Sequence, residues 1–407
     1  MPTDFSGPRA RMSWRRQLPA YSPLPLRAVL AGAAGLLGGG NAARARVSFI
    51  LRSHFGAQDV LLVNSGTGAL TLAIKACLAG SPGLAGALPA YGCFDLATAA
   101  DGAGVPVVLY DVDPATLAPD LASLRRALDR GARAVVLAHL YGIPAAPEPV
   151  RALCAEAGAW LIEDVAQGAG ASLRGRPLGA FGDLAVLSFG RGKGNTGGRG
   201  GALLARDERP AALLDSVRRD VLPPRGGFKE YVQLKFQWLF GRPWLYAIPS
   251  ALPFLRLGET VYHAPSPVRG LSAVAAHTLA VTWLLGGAEA DVRRAHAARL
   301  LAARGGALVP IALPRDGEPG YLRLPFVASP AARAAAETVQ ARAMGVMPGY
   351  PTALSDLQGF GERVVNGADG FPGAASMAER LVTVPVHGRL AERDVAGLEA
   401  WLANSRG

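Results

Sequence analysis

The sequence predicts an α/β protein with two domains: a large three-layer α/β/α domain around a mostly parallel sheet, and a smaller C-terminal α/β domain. Two observations predict this architecture. Short apolar runs alternate with helical patterns from residue 58 onward, which is typical of a layered α/β domain with a largely parallel sheet. The chain has 407 residues, 50% of them hydrophobic, so it can bury a large core and is too long for one ordinary domain. We therefore expect an N-terminal arm at 1–45, a large domain at 46–265 and a small domain at 266–407.

The large domain begins with a strand and a helix joined by a short polar turn. Asp59 to Val63 predicts the strand, and Ser65-Gly66-Thr67 begins a helix whose apolar residues recur at helical spacing. The next predicted elements are a strand at Val105 to Tyr110, a helix through Leu117, Leu121, Leu124 and Leu128, and a strand at Ala134 to Ala138.

The following strand carries two acidic residues at its end. A helix around Val150 to Ala157 ends at Gly158, and the apolar run Ala159 to Ile162 predicts a strand with Glu163 and Asp164 at its C-terminal end. In open α/β sheets, ligands bind beyond the carboxyl ends of the strands. We expect a functional site at this edge.

The segment 220–265 departs from the strand–helix rhythm because prolines break it and aromatic residues are frequent in it. A lid, a dimer contact and a membrane-surface foot are all compatible with this pattern, and an oligomer or core contact is its most ordinary interpretation. The small domain is predicted by a helical pattern from Ser272 toward Arg304, a strand at Gly320 to Val327, a helix near Ala331 to Met344 and a final amphipathic helix at Val395, Leu398 and Leu402.

The composition argues against several classes of protein. The formal charge of +11 raises the question of nucleic acid, but the arginines are scattered singly without interleaved aromatics, so no nucleic-acid partner is expected. Cys77, Cys93 and Cys154 have neither CxxC nor metal-ligand spacing, which predicts no metal site and fits a reducing compartment, the cytoplasm. No apolar stretch is long enough to predict a transmembrane segment.

The N-terminus carries Arg9, Arg11, Arg15 and Arg16 before a run of small residues from Ala28 to Gly40, which superficially resembles a signal peptide. Prolines interrupt the approach to that run. We therefore expect a soluble arm that packs on the core.

A single lysine stands in a glycine-rich loop between two apolar, strand-like runs. The loop extends from Leu187 to Gly201 and holds Lys193, one of only four lysines among 42 lysines and arginines. A neutral ε-amine can attack a carbonyl, whereas an arginine stays charged, so Lys193 is a candidate for amine chemistry. Taken alone, a solvated or phosphate-binding lysine is the more ordinary interpretation of this loop.

Two other positions supply what a pyridoxal phosphate enzyme needs beside its lysine: donors for the phosphate and an acidic partner for the pyridine nitrogen. Ser65-Gly66-Thr67 lies between a strand and a helix, where backbone N–H groups and the helix dipole favour an anion, although such a serine is often only a helix cap. Asp164 follows an apolar strand, which is unfavourable for a carboxylate without a cation. A turn or helix-start aspartate is an equally ordinary interpretation of it.

The order and the amino-acid sequences of these motifs resemble those of the sugar aminotransferases of the DegT/StrS group, which are fold-type-I pyridoxal phosphate enzymes. The resemblance runs from about Ser65 to Leu204 and again through the C-terminal part. The segments that carry it are Asn64-Ser65-Gly66-Thr67-Gly68-Ala69-Leu70, Leu88-Pro89-Ala90-Tyr91, His139-Leu140-Tyr141-Gly142-Ile143-Pro144, Ile162-Glu163-Asp164-Val165-Ala166-Gln167-Gly168, Leu187-Ser188-Phe189 with Lys193, and Val382 to His387 followed by Leu390 to Val395.

The resemblance implies a role for each matching residue. Lys193 would bind pyridoxal 5'-phosphate as a Schiff base and then move the proton, and Asp164 would pair with the pyridine nitrogen. Gln167 would lie near the ring hydroxyl of the cofactor. Its phosphate would be held by residues of two segments, namely Ser65, Gly66, Thr67 and Ser188.

This chain also departs from the family at positions near the cofactor. Cys93 stands where an aromatic ring is expected over the cofactor, so Tyr91 or Phe94 is expected to stack instead. Arg199 stands where the family usually has a glutamate, and Arg269 is the candidate for the arginine by which a neighbouring subunit completes the phosphate site.

His139 and Tyr350 are two further residues whose patterns allow both a functional and a structural role. His139 follows an apolar strand and is expected to be structural. Tyr350, in Gly349-Tyr350-Pro351, resembles a family loop near the substrate mouth and is equally ordinary as a turn aromatic.

The resemblance implies a homodimeric aminotransferase that moves an amino group, from glutamate, to the keto sugar of a nucleotide-linked sugar in polysaccharide or glycoconjugate biosynthesis. A lysine in place of the histidine of related sugar dehydratases favours transamination. Two alternatives stay open: another pyridoxal phosphate reaction on the same fold, and a non-catalytic binding or scaffold protein.

Overall fold

The structure, a computed structural model, describes residues 16–81, 83–250 and 260–405 of the chain. The arginines at positions 9, 11 and 15 and part of the predicted aromatic segment, 251–259, lie outside the described residues. The helices are α1 (Leu26–Leu37), α2 (Gly40–Phe55), α3 (Gly66–Leu78), α4 (Asp95–Ala103), α5 (Leu121–Asp129), α6 (Pro147–Ala157), α7 (Glu208–Arg218), α8 (Phe228–Phe240), α9 (Pro243–Ser250), α10 (Ala273–Thr282), α11 (Gly286–Ala303), α12 (Pro330–Ala335), α13 (Val339–Ala343), α14 (Pro372–Arg380) and α15 (Glu392–Asn404). The strands are β1 (Asp59–Val63), β2 (Ala85–Pro89), β3 (Val107–Tyr110), β4 (Ala132–Ala138), β5 (Trp160–Asp164), β6 (Ser172–Leu173), β7 (Arg176–Pro177), β8 (Leu184–Ser188), β9 (Gly201–Ala205), β10 (Leu308–Pro310), β11 (Gly317–Glu318), β12 (Leu324–Ala328), β13 (Met347–Pro348) and β14 (Leu381–Val384).

The main sheet has seven strands in the order β1-β9-β8-β5-β4-β2-β3. Strand β9 is antiparallel to both of its neighbours, and the other six strands run in one direction. The predicted α/β class with a mostly parallel sheet is therefore confirmed. Because six strands share a direction, their carboxyl ends meet at one edge.

Both faces of this sheet are covered by helices. Along β4, Ala134 and Val136 pack in one hydrophobic cluster and Val135 and Leu137 in another, so alternate side chains point to opposite sides. Strands buried on both faces are expected to be continuously apolar, as β4 is from Ala134 to Ala138. The three-layer arrangement follows.

Helices α1 and α10 pack with their backbones in close contact. A Cβ atom added at Gly35 would lie 2.8 Å from the carbonyl carbon and oxygen of Ala273. Ala28, Val29 and Gly32 on the same helix are buried. This part of the predicted N-terminal arm therefore packs on the core.

The smaller sheet is antiparallel and has the order β10-β12-β14-β13. Two predicted helices are divided in the structure. The pattern from Ser272 to Arg304 forms α10 and α11, and the pattern near Ala331 to Met344 forms α12 and α13. Helix α13 begins after Thr338, whose hydroxyl accepts a hydrogen bond from the Ala341 N–H at 3.2 Å.

The domain limits stay predictions. Helix α10 lies in the segment assigned to the small domain, 266–407, but it packs against α1 and α2.

No helix within the described ranges is long and apolar enough to cross a membrane.

Candidate active site

The carboxyl ends of the parallel strands bring four of the residues noted in the sequence to one edge of the main sheet. Ser65 comes two residues after β1, His139 directly follows β4, and Asp164 and Ser188 are the last residues of β5 and β8. This is the edge at which open α/β sheets bind ligands. Lys193 follows β8 by five residues.

The turn between β1 and α3 is closed by Ser65 and needs a glycine at position 66. The Ser65 Oγ accepts a hydrogen bond from the Gly68 N–H at 3.0 Å, so Ser65 is the N-cap of α3. A Cβ atom added at Gly66 would lie 2.6 Å from the Cβ of Ser188, a distance that real atoms do not adopt. The missing side chain of Gly66 lets α3 begin against the end of β8.

The loop that carries Lys193 is held at both ends by backbone hydrogen bonds. Phe189 donates to the Gly200 carbonyl at 2.8 Å and accepts from Gly197 at 3.0 Å. Both neighbours of the lysine, Gly192 and Gly194, have positive φ angles of 73° and 84°, which favour glycine. The two glycines therefore give the loop the tight path that presents Lys193.

One cavity at this edge collects seven of the nine predicted cofactor-binding residues. The Asp95 side chain, at the start of α4, also lines it and was not predicted. The seven are Gly66, Thr67, Cys93, Asp164, Gln167, Ser188 and Lys193.

The polar groups of this cavity lack the partners that would satisfy them. Lys193 Nζ forms no ion pair or hydrogen bond within the described part of the chain, and neither do the hydroxyls of Thr67 and Ser188. The Asp164 carboxylate accepts from the Ala166 N–H at 2.9 Å through Oδ1, while Oδ2 has no donor among the same residues. The cavity therefore offers a free amine, a free carboxylate oxygen and two free hydroxyls.

Asp164 is a carboxylate without an adjacent counter-ion. Burial raises the pKa of its carboxyl above the ordinary value, and the Ala166 N–H and the charges of Lys193 and His139 only partly oppose that rise. A cationic group bound next to Asp164 would lower this pKa again and stabilise the charged form. The pyridinium nitrogen of pyridoxal phosphate is such a group, so the donor set present fits that cofactor.

His139 forms a buried pair with Glu163, as expected of a structural histidine. Its Nε2 lies 3.0 Å from Glu163 Oε1, and its Nδ1 accepts from the Ala145 N–H at 3.1 Å. Burial alone would raise the pKa of the Glu163 carboxyl, but the hydrogen bond and charge of His139 and N–H donors from Gly179 and Gly182 lower it overall. The pair fixes β5, and with it Asp164, in place.

Gln167 is oriented by two tyrosines. Its Oε1 accepts from the Tyr141 N–H at 2.8 Å, and its Nε2 donates to the Tyr350 hydroxyl at 2.6 Å. The rings of Tyr141 and Tyr350 stack with centroids 5.6 Å apart. Tyr350 therefore contacts the site through Gln167. Tyr141 also orients Gln167, through its backbone N–H, and this role was not predicted from its sequence motif.

Tyr91 and Phe94 do not line this cavity, and which residue stacks on the cofactor stays a prediction. Tyr91 is 0% exposed, and its hydroxyl accepts from the Tyr350 N–H at 2.9 Å, so the ring packs behind Tyr350 instead of lining the cavity. Phe94 is also buried outside the cavity lining. Cys93 does line it, and burial, together with Asp95, raises the pKa of its thiol to about 12.

Three other candidate site residues, Ser65, Arg199 and Arg269, do not line this cavity. Ser65 is used as the helix cap described above. Arg199 is exposed, and Arg269 pairs through its backbone N–H with Asn64 Oδ1 at 3.1 Å.

Comparison with known proteins links the segment that carries the cavity to one family. Residues 45–233 match the family model described as the DegT/DnrJ/EryC1/StrS aminotransferase family. The chain is 37% identical over 158 residues to the L-glutamine:2-deoxy-scyllo-inosose aminotransferase of Streptoalloteichus tenebrarius, which covers 38% of the chain and 37% of that relative. It is 38% identical over 171 residues to the dTDP-4-dehydro-2,3,6-trideoxy-D-glucose 4-aminotransferase of Saccharopolyspora spinosa, which covers 42% of the chain and 44% of the relative. Both matches span less than half of the relative's own length.

The fold extends the similarity along the chain. A solved structure of a DegT DnrJ EryC1 StrS aminotransferase from Brucella abortus superposes with a TM-score of 0.73 at 21% identity, covering 93% of this chain and 95% of that one. This likeness shows a shared fold. All the residues that line the cavity around Lys193 fall within residues 45–233, the segment that is similar to the DegT/DnrJ/EryC1/StrS aminotransferase family.

Proposed function

We propose that this protein is a pyridoxal phosphate-dependent aminotransferase that moves an amino group from glutamate to the keto group of a nucleotide-linked sugar. The observation that carries the proposal is the amino group of Lys193, without a partner among the described residues, in the same cavity as the half-buried Asp164 carboxylate, which has no adjacent counter-ion. The family match over residues 45–233 supports the reaction class.

Pyridoxal phosphate supplies an electron sink for the carbon atom that bears the amino group. The residues that would hold it are Lys193 for the aldehyde, Asp164 for the ring nitrogen, and Thr67 and Ser188, at the N-terminus of α3 and the end of β8, for the phosphate. The start of α3 adds a favourable dipole for that anion.

The chain's own side chains supply proton transfer and charge. Lys193, once its amine is free, is the base that removes the proton from the carbon of the donor and returns it to the carbon of the acceptor. The Asp164 carboxylate would stabilise positive charge on a ring nitrogen bound beside it. The donor amine becomes a ketone while the acceptor ketone becomes an amine, so electrons balance without an external oxidant.

The identity of the acceptor rests on the names of the relatives. The Saccharopolyspora spinosa relative is named for a dTDP-linked keto sugar, and the Streptoalloteichus tenebrarius relative is named for a cyclitol ketone with L-glutamine as donor. A nucleotide-linked sugar is our proposal, in polysaccharide or glycoconjugate biosynthesis. The cyclitol ketone is the second candidate.

Two further properties belong to the proposal. We infer a homodimer with the active site between subunits, by analogy with the family, and a cytoplasmic location, on the cysteine pattern. Gel filtration with light scattering tests the first, and cell fractionation tests the second.

The cofactor assignment is tested by chemical trapping. The purified protein is loaded with pyridoxal phosphate, reduced with borohydride, digested and mapped by mass spectrometry. We expect the added mass on the peptide that contains Lys193 and no visible absorbance band in Lys193→Ala. Lys235→Ala is the matched control and keeps both signals. A label confined to other lysines, or no label at all, refutes the assignment.

The reaction is tested with a panel of acceptors. Cofactor-loaded protein, glutamate or glutamine, and either nucleotide-linked keto sugars or scyllo-inosose are incubated, and the products are identified by mass spectrometry. Amination of at least one nucleotide-linked sugar supports the proposal. Turnover of the cyclitol alone favours the second candidate, and labelled Lys193 without amino transfer to any acceptor favours a different reaction on this fold.

A further inference from the structure

A second and larger cavity adjoins the first. Its volume is about 670 Å³, within the usual range of small-molecule sites, and it shares Lys193 and Gln167 with the cavity described above. One wall comes from the N-terminal segment at Arg16 and Gln17, and another comes from the small domain. A substrate that reacts at Lys193 therefore has space to extend in this direction.

The charges that line this cavity have one sign. Among the described residues that line it, Arg16, Lys193, Arg323 and Arg342 are cationic, and there is no aspartate or glutamate. Arg16 and Arg342 form no ion pair with any part of the chain that the structure describes, so both guanidinium groups are available to a ligand. A concave surface with cations alone attracts and concentrates anions.

Arg323 strengthens this conclusion because it is a buried cation surrounded by neutral groups. It is 8% exposed and donates to the Thr383 Oγ1 at 2.7 Å, to the carbonyls of Gly345 and Thr383 at 2.7 and 2.8 Å, and to the Pro19 carbonyl. No carboxylate pairs with it among the described residues. A buried charge without a counter-ion is unfavourable, and an anionic ligand in the adjoining cavity compensates it.

Gln17 is a neutral residue beside these cations. It borders the cavity and is 5% exposed, and its Oε1 and Nε2 are buried without a hydrogen-bond partner among the described residues. Because both amide atoms are closed off from the open space of the cavity, the arginines are the groups that can meet a ligand there.

We propose that this cavity binds the diphosphate of the nucleotide-linked substrate, with Arg16 and Arg342 as phosphate ligands. Planar guanidinium groups bind phosphate oxygens in pairs. A neutral cyclitol carries no charge that could interact with Arg16, Arg323 and Arg342, whereas a diphosphate carries negative charge. The inference rests on the proposed function for the identity of the substrate.

Binding measurements test this role separately from catalysis. Affinities of UDP, dTDP and inorganic pyrophosphate for the cofactor-loaded protein are measured by calorimetry at two salt concentrations. We expect Arg16→Ala and Arg342→Ala each to weaken nucleoside diphosphate binding at least tenfold and to reduce its dependence on salt, and Arg16→Lys to restore part of the loss. Arg315→Ala removes a charge of the same kind from an exposed position outside the cavity and keeps the affinity of the wild type.

Each outcome separates the two proposals. Wild-type protein that binds none of the three anions, or variants at Arg16 and Arg342 with unchanged affinity, overturns the diphosphate site even if amino transfer occurs. Variants that weaken glutamate but not UDP also overturn it, because the charge then serves the amino donor. Binding that depends on Arg16 and Arg342 without transfer to any nucleotide-linked sugar keeps the diphosphate site and rejects the proposed reaction.

Discussion

Gly66 illustrates how a single missing side chain lets two segments of the cavity lie close together. An alanine there would bring its Cβ to 2.6 Å from the Cβ of Ser188, at the place where α3 begins against β8. We expect Gly66→Ala to lower the free energy of unfolding by about 1–3 kcal/mol, as overpacking does, and to weaken retention of the cofactor. Denaturant unfolding and absorbance after dialysis measure the two effects.

The cause is tested by restoring the space. Gly66→Ala combined with Ser188→Gly is expected to regain part of the lost stability, because the contacting Cβ is removed. A double variant no more stable than the single one would show that the contact with Ser188 is not the cause.

Asp164 is expected to favour function at the expense of stability. Since burial raises the pKa of its carboxyl, the folded protein without cofactor holds the charged form less readily than the unfolded chain does. Asp164→Asn should therefore leave the cofactor-free protein as stable as the wild type or more stable, and lower amino transfer by about 10²–10³-fold, the usual effect of losing a preorganised electrostatic group.

The measurements for Asp164→Asn are the thermal unfolding midpoint without cofactor and single-turnover kinetics with it. A variant that is less stable and fully active would contradict both halves of the prediction.

The residues of the site differ in how far the sequence could predict them. Lys193, Asp164 and Gln167 stand in local motifs, and the structure brings all three to one cavity. Arg323 and Gln17 stand in no recognisable motif. Their place beside one cavity could not be predicted, because it depends on the packing of segments that are about 300 positions apart. The motif around Tyr91 does not reveal that its hydroxyl accepts a hydrogen bond from the Tyr350 backbone N–H.

At the scale of elements, the contact between α1 and α10 depends on glycine. Since a Cβ at Gly35 would meet the backbone of Ala273 at 2.8 Å, Gly35→Ala should force the helices apart. We expect a loss of about 1–3 kcal/mol in the free energy of unfolding. Urea unfolding followed by circular dichroism measures it.

Gly287, in the first turn of α11, is the matched control. No atom lies within 4 Å of a Cβ built there. Gly287→Ala is expected to leave stability unchanged or to raise it by up to about 1 kcal/mol, because alanine is the better helix former. Equal losses in the two variants would exclude the helix contact as the reason.

Most strands of the main sheet were predictable because they are buried on both faces and form apolar runs, and β1 has the bounds expected from its sequence. Strand β2, at Ala85–Pro89, was not predicted from the pattern of apolar residues. Helix ends were harder to predict. Leu117, assigned to a helix by its spacing, has a φ of 59° and lies outside α5, which begins at Leu121 after the Asp120 cap. A leucine spacing carries no information about such a backbone turn.

At the scale of the whole molecule, His387 makes stability depend on pH. Its Nε2 lies 2.9 Å from the Leu18 carbonyl, and burial lowers its pKa to about 4 from an ordinary value near 6.5. Below pH 6.5 the unfolded chain binds a proton that the folded protein does not, so stability falls as the pH drops from about 6.5 to about 4 and then levels off for this group. Over that range His387 contributes a loss of about 3 kcal/mol.

The comparison that isolates this effect uses His387→Gln, which keeps a donor for Leu18. Urea unfolding of both proteins between pH 7.5 and pH 4 should show a smaller decline in the variant. Parallel curves for the two proteins would mean that His387 does not titrate in this way.

The segment that includes Arg16, Gln17, Leu18 and Pro19 is hydrogen-bonded to Arg323 and His387 and also forms a wall of the cavity beside Lys193. One short peptide therefore connects residues next to the smaller sheet with this cavity. A ligand that binds this wall should raise the midpoint of unfolding of the entire protein, because it binds the folded chain and not the unfolded one.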